Sequence, residues 1–150
     1  MASIFSPVAR PVARYQRNAA QAGTFPGTTK ANFDTPVGTP IGVSIPAPGD
    51  YEMGLAGLWR VSAAMLLQGV GVGVSRPRVQ LVNSTGGTVE FYQEQTVTID
   101  TNTQGLLIEC VVRVNLADVL QIFWETDNDA SNLVAPGGVG CTLAFEWVAP

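Results

Sequence analysis

The stretch "GLWRVSAAMLLQG", residues 57–69, decides how the chain is read. In a two-residue repeat, Trp59, Val61, Ala63, Met65 and Leu67 share one side, and Leu58, Arg60, Ser62, Ala64 and Leu66 share the other. Helix competes, because "VSAAMLLQ" is built of good helix formers. Gly57 and Gly69 bracket the period-two pattern and select a strand with the Trp59 side toward a core. The stretch holds no His, Asp, Glu, Lys or Cys. An element this well formed without reactive groups directs the search for function to surfaces made by assembly.

The composition agrees. Apolar residues are 46% of the 150 and charged residues 13%. That is too apolar for disorder, and about half the charge of an ordinary soluble domain. A surface so poor in charge is one that something else covers. The 16 Gly and 10 Pro punctuate the whole chain as turn signals. With many Val, Thr and Ile, this is an all-β composition.

The net charge of −4 is unevenly placed. Residues 1–33 carry Arg10, Arg14, Arg17 and Lys30 and no acid; residues 34–150 carry the other four cations and all twelve acids. The expected organisation is an extended basic N-terminal arm, 1–33, attached to an acidic domain, 34–150. "PVAR" occurs twice, at 7–10 and 11–14, and each Pro resists helix before it. "ARYQRNAAQAG" (13–23) reads as a short helix ending at Gly23 that orders on a partner. No apolar h-region opens the chain and no run is long enough to span a membrane, so a soluble, unexported protein is expected, with no membrane partner.

Beyond residue 34 short strands follow about every ten residues. "TPVGTPIGVSIPAPGDY" (35–51) suits an edge strand, with a turn at "APGD" (47–50). "GVGVGVSRP" (69–77) reads as a Gly-rich connector, not a phosphate loop. A hairpin is expected with strands 78–82 and 88–92. "QTVTIDTNTQG" (95–105) reads as a strand and turn. In "LLIECVVRVNL" (106–116), Leu107, Glu109, Val111 and Arg113 oppose Ile108, Cys110, Val112 and Val114. In "DVLQIFWET" (118–126), Val119, Gln121 and Phe123 oppose Leu120, Ile122 and Trp124. "GVGCTLAFEWV" (138–148) alternates Cys141, Leu143, Phe145 and Trp147 with polar or small residues. Seven to nine such strands predict a β-sandwich or jelly roll.

The order of these signals is more specific. "GLWRVSA" (57–63), "RVQLVNSTGG" (78–87), "NLADVLQIFW" (115–124) and "CTLAFEWV" (141–148) resemble the globular heads of the complement and tumour-necrosis-factor superfamily. Leu116, Asp118 and Val119 match that family's late-strand step, Ala117 replaces its Gly, and Trp59 stands where Tyr is usual. The resemblance spans about residues 40–150 and implies a compact jelly roll that forms a homotrimer. Small jelly rolls of this sort serve bacteriophages and other viruses as capsid decoration or fibre heads.

Candidate sites are sparse. Arg10, Arg14, Tyr15 and Arg17 are the expected attachment residues of the arm. Four cations without interleaved aromatics are thin for nucleic acid, so an acidic protein surface is the expected contact. Trp59, Phe123, Trp124, Phe145 and Trp147 are assigned to the core or to a trimer interface. Glu125, Asp127 and Asp129 are a weak cation candidate that reads better as a solvated turn. "NST" (83–85) reads as turn chemistry rather than a glycosylation acceptor. Cys110 and Cys141 read as buried thiols, with a disulfide left open. A chain without His lacks the usual triad, and no cofactor is expected.

The expectation is therefore a non-enzymatic homotrimeric virion protein, made in the host cytoplasm and located on the capsid surface. It would bind a major capsid protein or another virion protein through its base and arm. A receptor-binding fibre head, using loops 69–77, 83–87 and 127–138, is the alternative, and a complement-type ligand-binding module the second.

Overall fold

The computed structural model describes residues 10–23, 27–69, 73–82, 87–92, 97–99, 103–126, 131–133 and 141–150. These form two antiparallel sheets, with no helix among the described residues.

The first sheet is organised by β7 (Gly57–Gly69), the opening stretch of the sequence analysis. β11 (Thr103–Val114) runs along one edge of β7, from Thr103 opposite Gln68 to Val114 opposite Gly57. Two strands share the other edge: β14 (Thr142–Ala149) beside residues 58–64, and β13 (Ser131–Leu133) beside residues 67–69. Beyond β14 lie β1 (Val12–Gln16) and then β4 (Thr35–Pro36), while β2 (Gln21–Ala22) pairs with β13.

The second sheet is organised by β12 (Val119–Thr126). β8 (Gly73–Val82) covers one edge; β6 (Asp50–Met53) and β3 (Gly27–Lys30) share the other. β5 (Val43–Ala47) pairs with β6. β9 (Thr88–Tyr92) and β10 (Val97–Ile99) share the far edge of β8.

The alternation read from the sequence selects the inner faces. Trp59, Val61, Ala63, Met65 and Leu67 are all fully buried, as are Leu120, Ile122 and Trp124 from the facing sheet. Tyr15 and Phe145 of the first sheet meet Tyr51 of the second, with ring centroids 5.2–6.4 Å apart. Their polar tips are satisfied: Tyr15 Oη donates to the Val43 carbonyl, while Tyr51 Oη donates to the Phe33 carbonyl and accepts from the Phe33 amide.

The expected boundary at residue 34 is corrected. Residues 12–16, 21–22 and 27–30 are strands of the sandwich rather than an arm. Ala13, Tyr15, Ala31 and Phe33 belong to its core. The helix expected over 13–23 is also overturned, because the alternating burial of β1 serves a strand paired to β14 and β4. Tandem prolines enforce extension, which suits a strand as well as an arm. The Gly-rich connector is shorter than read, since β8 begins at Gly73. The turn at 47–50 joins β5 to β6, with Gly49 at φ +76°. The hairpin strands 78–82 and 88–92 pair as expected, Val82 opposite Thr88; the tip 83–86 lies outside the described residues.

Candidate assembly surface

The outer face of the first sheet gathers the residues that the inner face leaves over. Register places them in rows across β11, β7, β14 and β1. One row reads Val111, Arg60, Glu146, Val12; the next Glu109, Ser62, Ala144, Arg14; the third Leu107, Ala64, Thr142, Gln16. Side chains on the β7 and β14 columns are mostly small, so the centre of the face is shallow. The β11 column stands higher: Leu107 is 49% exposed and Val111 54%. Two large apolar groups exposed four positions apart on one strand face are unusual for a surface bathed only in water.

Charge on this face is arranged in pairs. Arg60 Nη1 donates to Glu146 Oε2 at 3.3 Å, and its Nε lies 3.8 Å from Glu109 Oε1. All three side chains are about half exposed, so the pairs stabilise the monomer little. Two carboxylates share one guanidinium here. Across the sheet, Arg14 is exposed and has no carboxylate within 4 Å among the described residues. Beside it Arg14, Gln16, Val37, Thr142 and Ala144 line a groove of about 420 Å³. The Val37 amide donates to the Arg14 carbonyl at 2.8 Å, which fixes the groove's rim against β1.

The four expected attachment residues are separated by the fold. Arg10 and Arg14 are exposed, but Tyr15 is 3% exposed and Arg17 9%. Arg17 works inward as a clamp. It donates from Nη1 to the Asn32 carbonyl at 2.7 Å and from Nη2 to the Ala20 carbonyl at 3.2 Å, and lies 3.7 Å from Asp34. Its Nε is buried without a hydrogen-bond partner. Tyr15 and Arg17 are therefore not attachment residues: their side chains hold the N-terminal strand in the sandwich.

The aromatic assignment divides cleanly. Trp59, Trp124 and Phe145 are core, fully buried. Phe123 is half-buried on the outer face of the second sheet. Trp147 is half-buried at the end of β14, where its Nε1 donates to the Ala56 carbonyl. None of the five lies on the Leu107 face.

Cys110 and Cys141 are free thiols. Burial raises both thiol pKa values, that of Cys110 to about 11 with the Glu109 charge adding. Glu125 sits half-buried in β12, while Asp127, Asp129 and "NST" (83–85) lie outside the described residues. Among the described residues no group of three or more His, Cys, Asp or Glu is placed to hold a metal ion. Of the loops assigned to a fibre head, 70–72, 83–86, 127–130 and 134–138 also lie outside them.

Sequence reading had placed Leu107, Glu109, Val111 and Arg113 on one face but gave that face no role. The signal was there in the run itself: two large apolar residues on the side opposite Ile108 and Val112.

Two seven-stranded antiparallel sheets in this order make a tumour-necrosis-factor-like jelly roll. Murine APRIL superposes with a TM-score of 0.69 at 10% identity, over 93% of this chain and 99% of that one. Eiger TNF from S. frugiperda superposes with a TM-score of 0.59 at 13% identity, over 93% and 94%. At such identity the likeness establishes the fold. No family model matches the sequence, and no curated protein matches it.

Proposed function

We propose that the chain is a non-enzymatic assembly protein: a jelly-roll head that forms a homotrimer through the outer face of its first sheet and serves as a structural virion protein decorating a capsid. The observation that carries this is the Leu107–Val111 column, exposed on a face whose β7 and β14 columns are mostly small. Burying such a face in a ring removes apolar area from water at about 25 cal/mol per Å². The low overall charge points the same way. Decoration suits a compact jelly roll that spends one face on itself and leaves its ends for another virion protein. Attachment then falls to Arg10 and the residues ahead of it rather than to Tyr15 or Arg17.

Two measurements test the reading. Light scattering on the full chain should give a mass near three chains; one chain at every concentration overturns self-assembly. Antibody to the purified chain, applied as gold label to virus particles from the culture that makes it, should decorate their surface. Unlabelled particles overturn the virion role and leave a self-assembling head.

A further inference from the structure

Six large apolar side chains stand exposed among the described residues, and three of them belong to one end of the sandwich. Ile41, in the connection from β4 to β5, and Leu55, between β6 and β7, are a little under half exposed; Leu116, between β11 and β12, is 64% exposed. Backbone hydrogen bonds draw the three connections together. The Gly54 amide donates to the Gly42 carbonyl at 2.8 Å and the Ala117 amide to the Met53 carbonyl at 2.9 Å, so each apolar residue sits one position from a bonded one. Two indoles fix the middle connection: Trp59 Nε1 donates to the Leu55 carbonyl and Trp147 Nε1 to the Ala56 carbonyl. The left-handed turn at Ala117 is held by the Asn115 amide on the Asp118 carboxylate. The connections 37–42, 54–56 and 115–118 contain one charged residue, Asp118, and it is buried. Connections that only meet water are polar. At the rim, Arg10 lies two residues before Val12, whose carbonyl accepts from the Ile41 amide, and Arg113 lies three residues before Leu116. Both are exposed, with no carboxylate within 4 Å among the described residues. Glu52, half-buried opposite Val119, is the acid on the side of the second sheet.

We propose that this end is the attachment surface, and that its partner is another virion protein presenting an apolar hollow bordered by carboxylates. This rests on the virion reading above and says where the contact lies. Ile41, Leu55 and Leu116 enter the hollow, while Arg10 and Arg113 meet its border. A centre without charge inside a charged rim is the anatomy of a protein contact. A lipid surface is met by aromatic tips, and the three connections hold no Trp, Tyr or Phe. Loops already held by the two indoles and the Asp118 carboxylate lose little freedom when a partner covers them, which keeps the cost of binding low. A closed ring of heads turns the same end of every copy to one side, so the copies of this patch meet the particle together and reinforce one another.

Rebinding to stripped particles tests it. Virus particles from the culture that makes the chain, washed free of it with dilute guanidinium, are mixed with the purified full chain and sedimented. The natural chain should return to them. Leu55→Asp and Leu116→Asp each put a charge into the apolar centre and should lower the bound amount at least about tenfold. Arg10→Glu combined with Arg113→Glu reverses the rim and should also lower it. All four positions are exposed, far-ultraviolet circular dichroism confirms that each variant is folded, and light scattering should give each the mass of the natural chain. Folded variants that rebind like the natural chain overturn this surface and leave the virion reading standing. A natural chain that does not rebind overturns both. A folded Leu116→Asp chain of lower mass than the natural chain means that a second copy covers this end, and overturns the proposal. So does a Leu116→Asp chain that loses binding to vesicles of phosphatidylcholine and phosphatidylserine while its particle binding is intact, because the occupant is then a lipid surface.

Discussion

Ala117 holds φ at +66°, a left-handed backbone that costs a residue bearing Cβ about 1 kcal/mol. The turn around it compels that conformation. Asp118 Oδ2 accepts from the Asn115 amide, the Ala117 amide donates to the Met53 carbonyl, and the Met53 amide donates to the Asp118 carbonyl. The Gly that Ala117 replaces in the resembled family is thus a backbone requirement. Ala117→Gly should stabilise the fold by about 0.5 kcal/mol after its entropic cost in the unfolded chain, read as a higher urea midpoint. Gly57 is the opposite case. At φ +133°, a Cβ there would stand 2.3 Å from the Ala149 carbonyl and 2.8 Å from Trp147 Nε1. Gly57→Ala should cost at least about 3 kcal/mol in the same measurement. Cys110 makes a pH prediction. Its thiol titrates at about 11 when folded, against 9.0 as the ordinary value. Below pH 9 both states keep the proton and the contribution is fully present. Between 9 and 11 the unfolded chain loses the proton first, so rising pH favours unfolding. Under reducing conditions Tm should fall across that window, and Cys110→Ala should remove part of the fall. The remainder belongs to the Cys141 thiol and to buried Tyr15 and Tyr51, all of which are also raised by burial. Equal slopes for the two proteins would mean that the Cys110 thiol is not desolvated.

At the scale of the element, β1 shows how pattern and context divide the work. It is joined to β14 over five register pairs, and its Tyr15 ring packs between Phe145 and Tyr51. A chain starting at residue 34 would lose β1, β2 and β3 together with the buried Ala13, Tyr15, Ala31 and Phe33. At about 1.5–3 kcal/mol for each large side chain, that loss rivals the whole stability of a domain. The truncated chain should be insoluble or show no cooperative thermal transition; a cooperative transition would make residues 1–33 a true appendage. Sequence alone revealed β7, β11, β12 and β14 because each has one buried face and a clean two-residue alternation. It missed β1, because five residues flanked by Pro and Arg carry only two inward positions, Ala13 and Tyr15. Arg17 misled for a related reason. A cation buried by hydrogen bonds to the Asn32 and Ala20 carbonyls looks, in sequence, like any solvated cation. The assembly surface was half legible. Its ridge lies within one strand and can be read there, but its groove is made by β1 and β14, 130 residues apart, and exists only once they pair.

For the whole molecule, folding and assembly are linked by mass action. Both sheets turn hydrophobic residues inward to close the core; the first also turns Leu107 and Val111 outward, about half exposed. If three chains bury that face together, the folded state is drawn off by a process the unfolded state lacks. Each tenfold rise in concentration then adds about 1 kcal/mol per chain to the stability of a trimer, two-thirds of the 1.4 kcal/mol that a factor of ten represents. For a domain of this length 1 kcal/mol moves Tm by roughly 2–4 °C. The natural chain should therefore melt about 2–4 °C higher for every tenfold increase in concentration, over the range where light scattering finds trimer. Leu107→Asp, folded but with a charge in the exposed column, should melt at one temperature regardless of concentration, below that of the natural chain. A natural chain whose Tm ignores concentration, though its mass is that of three chains, would mean that the ring adds nothing to folding. The exposed Leu107 and Val111 would then need another partner.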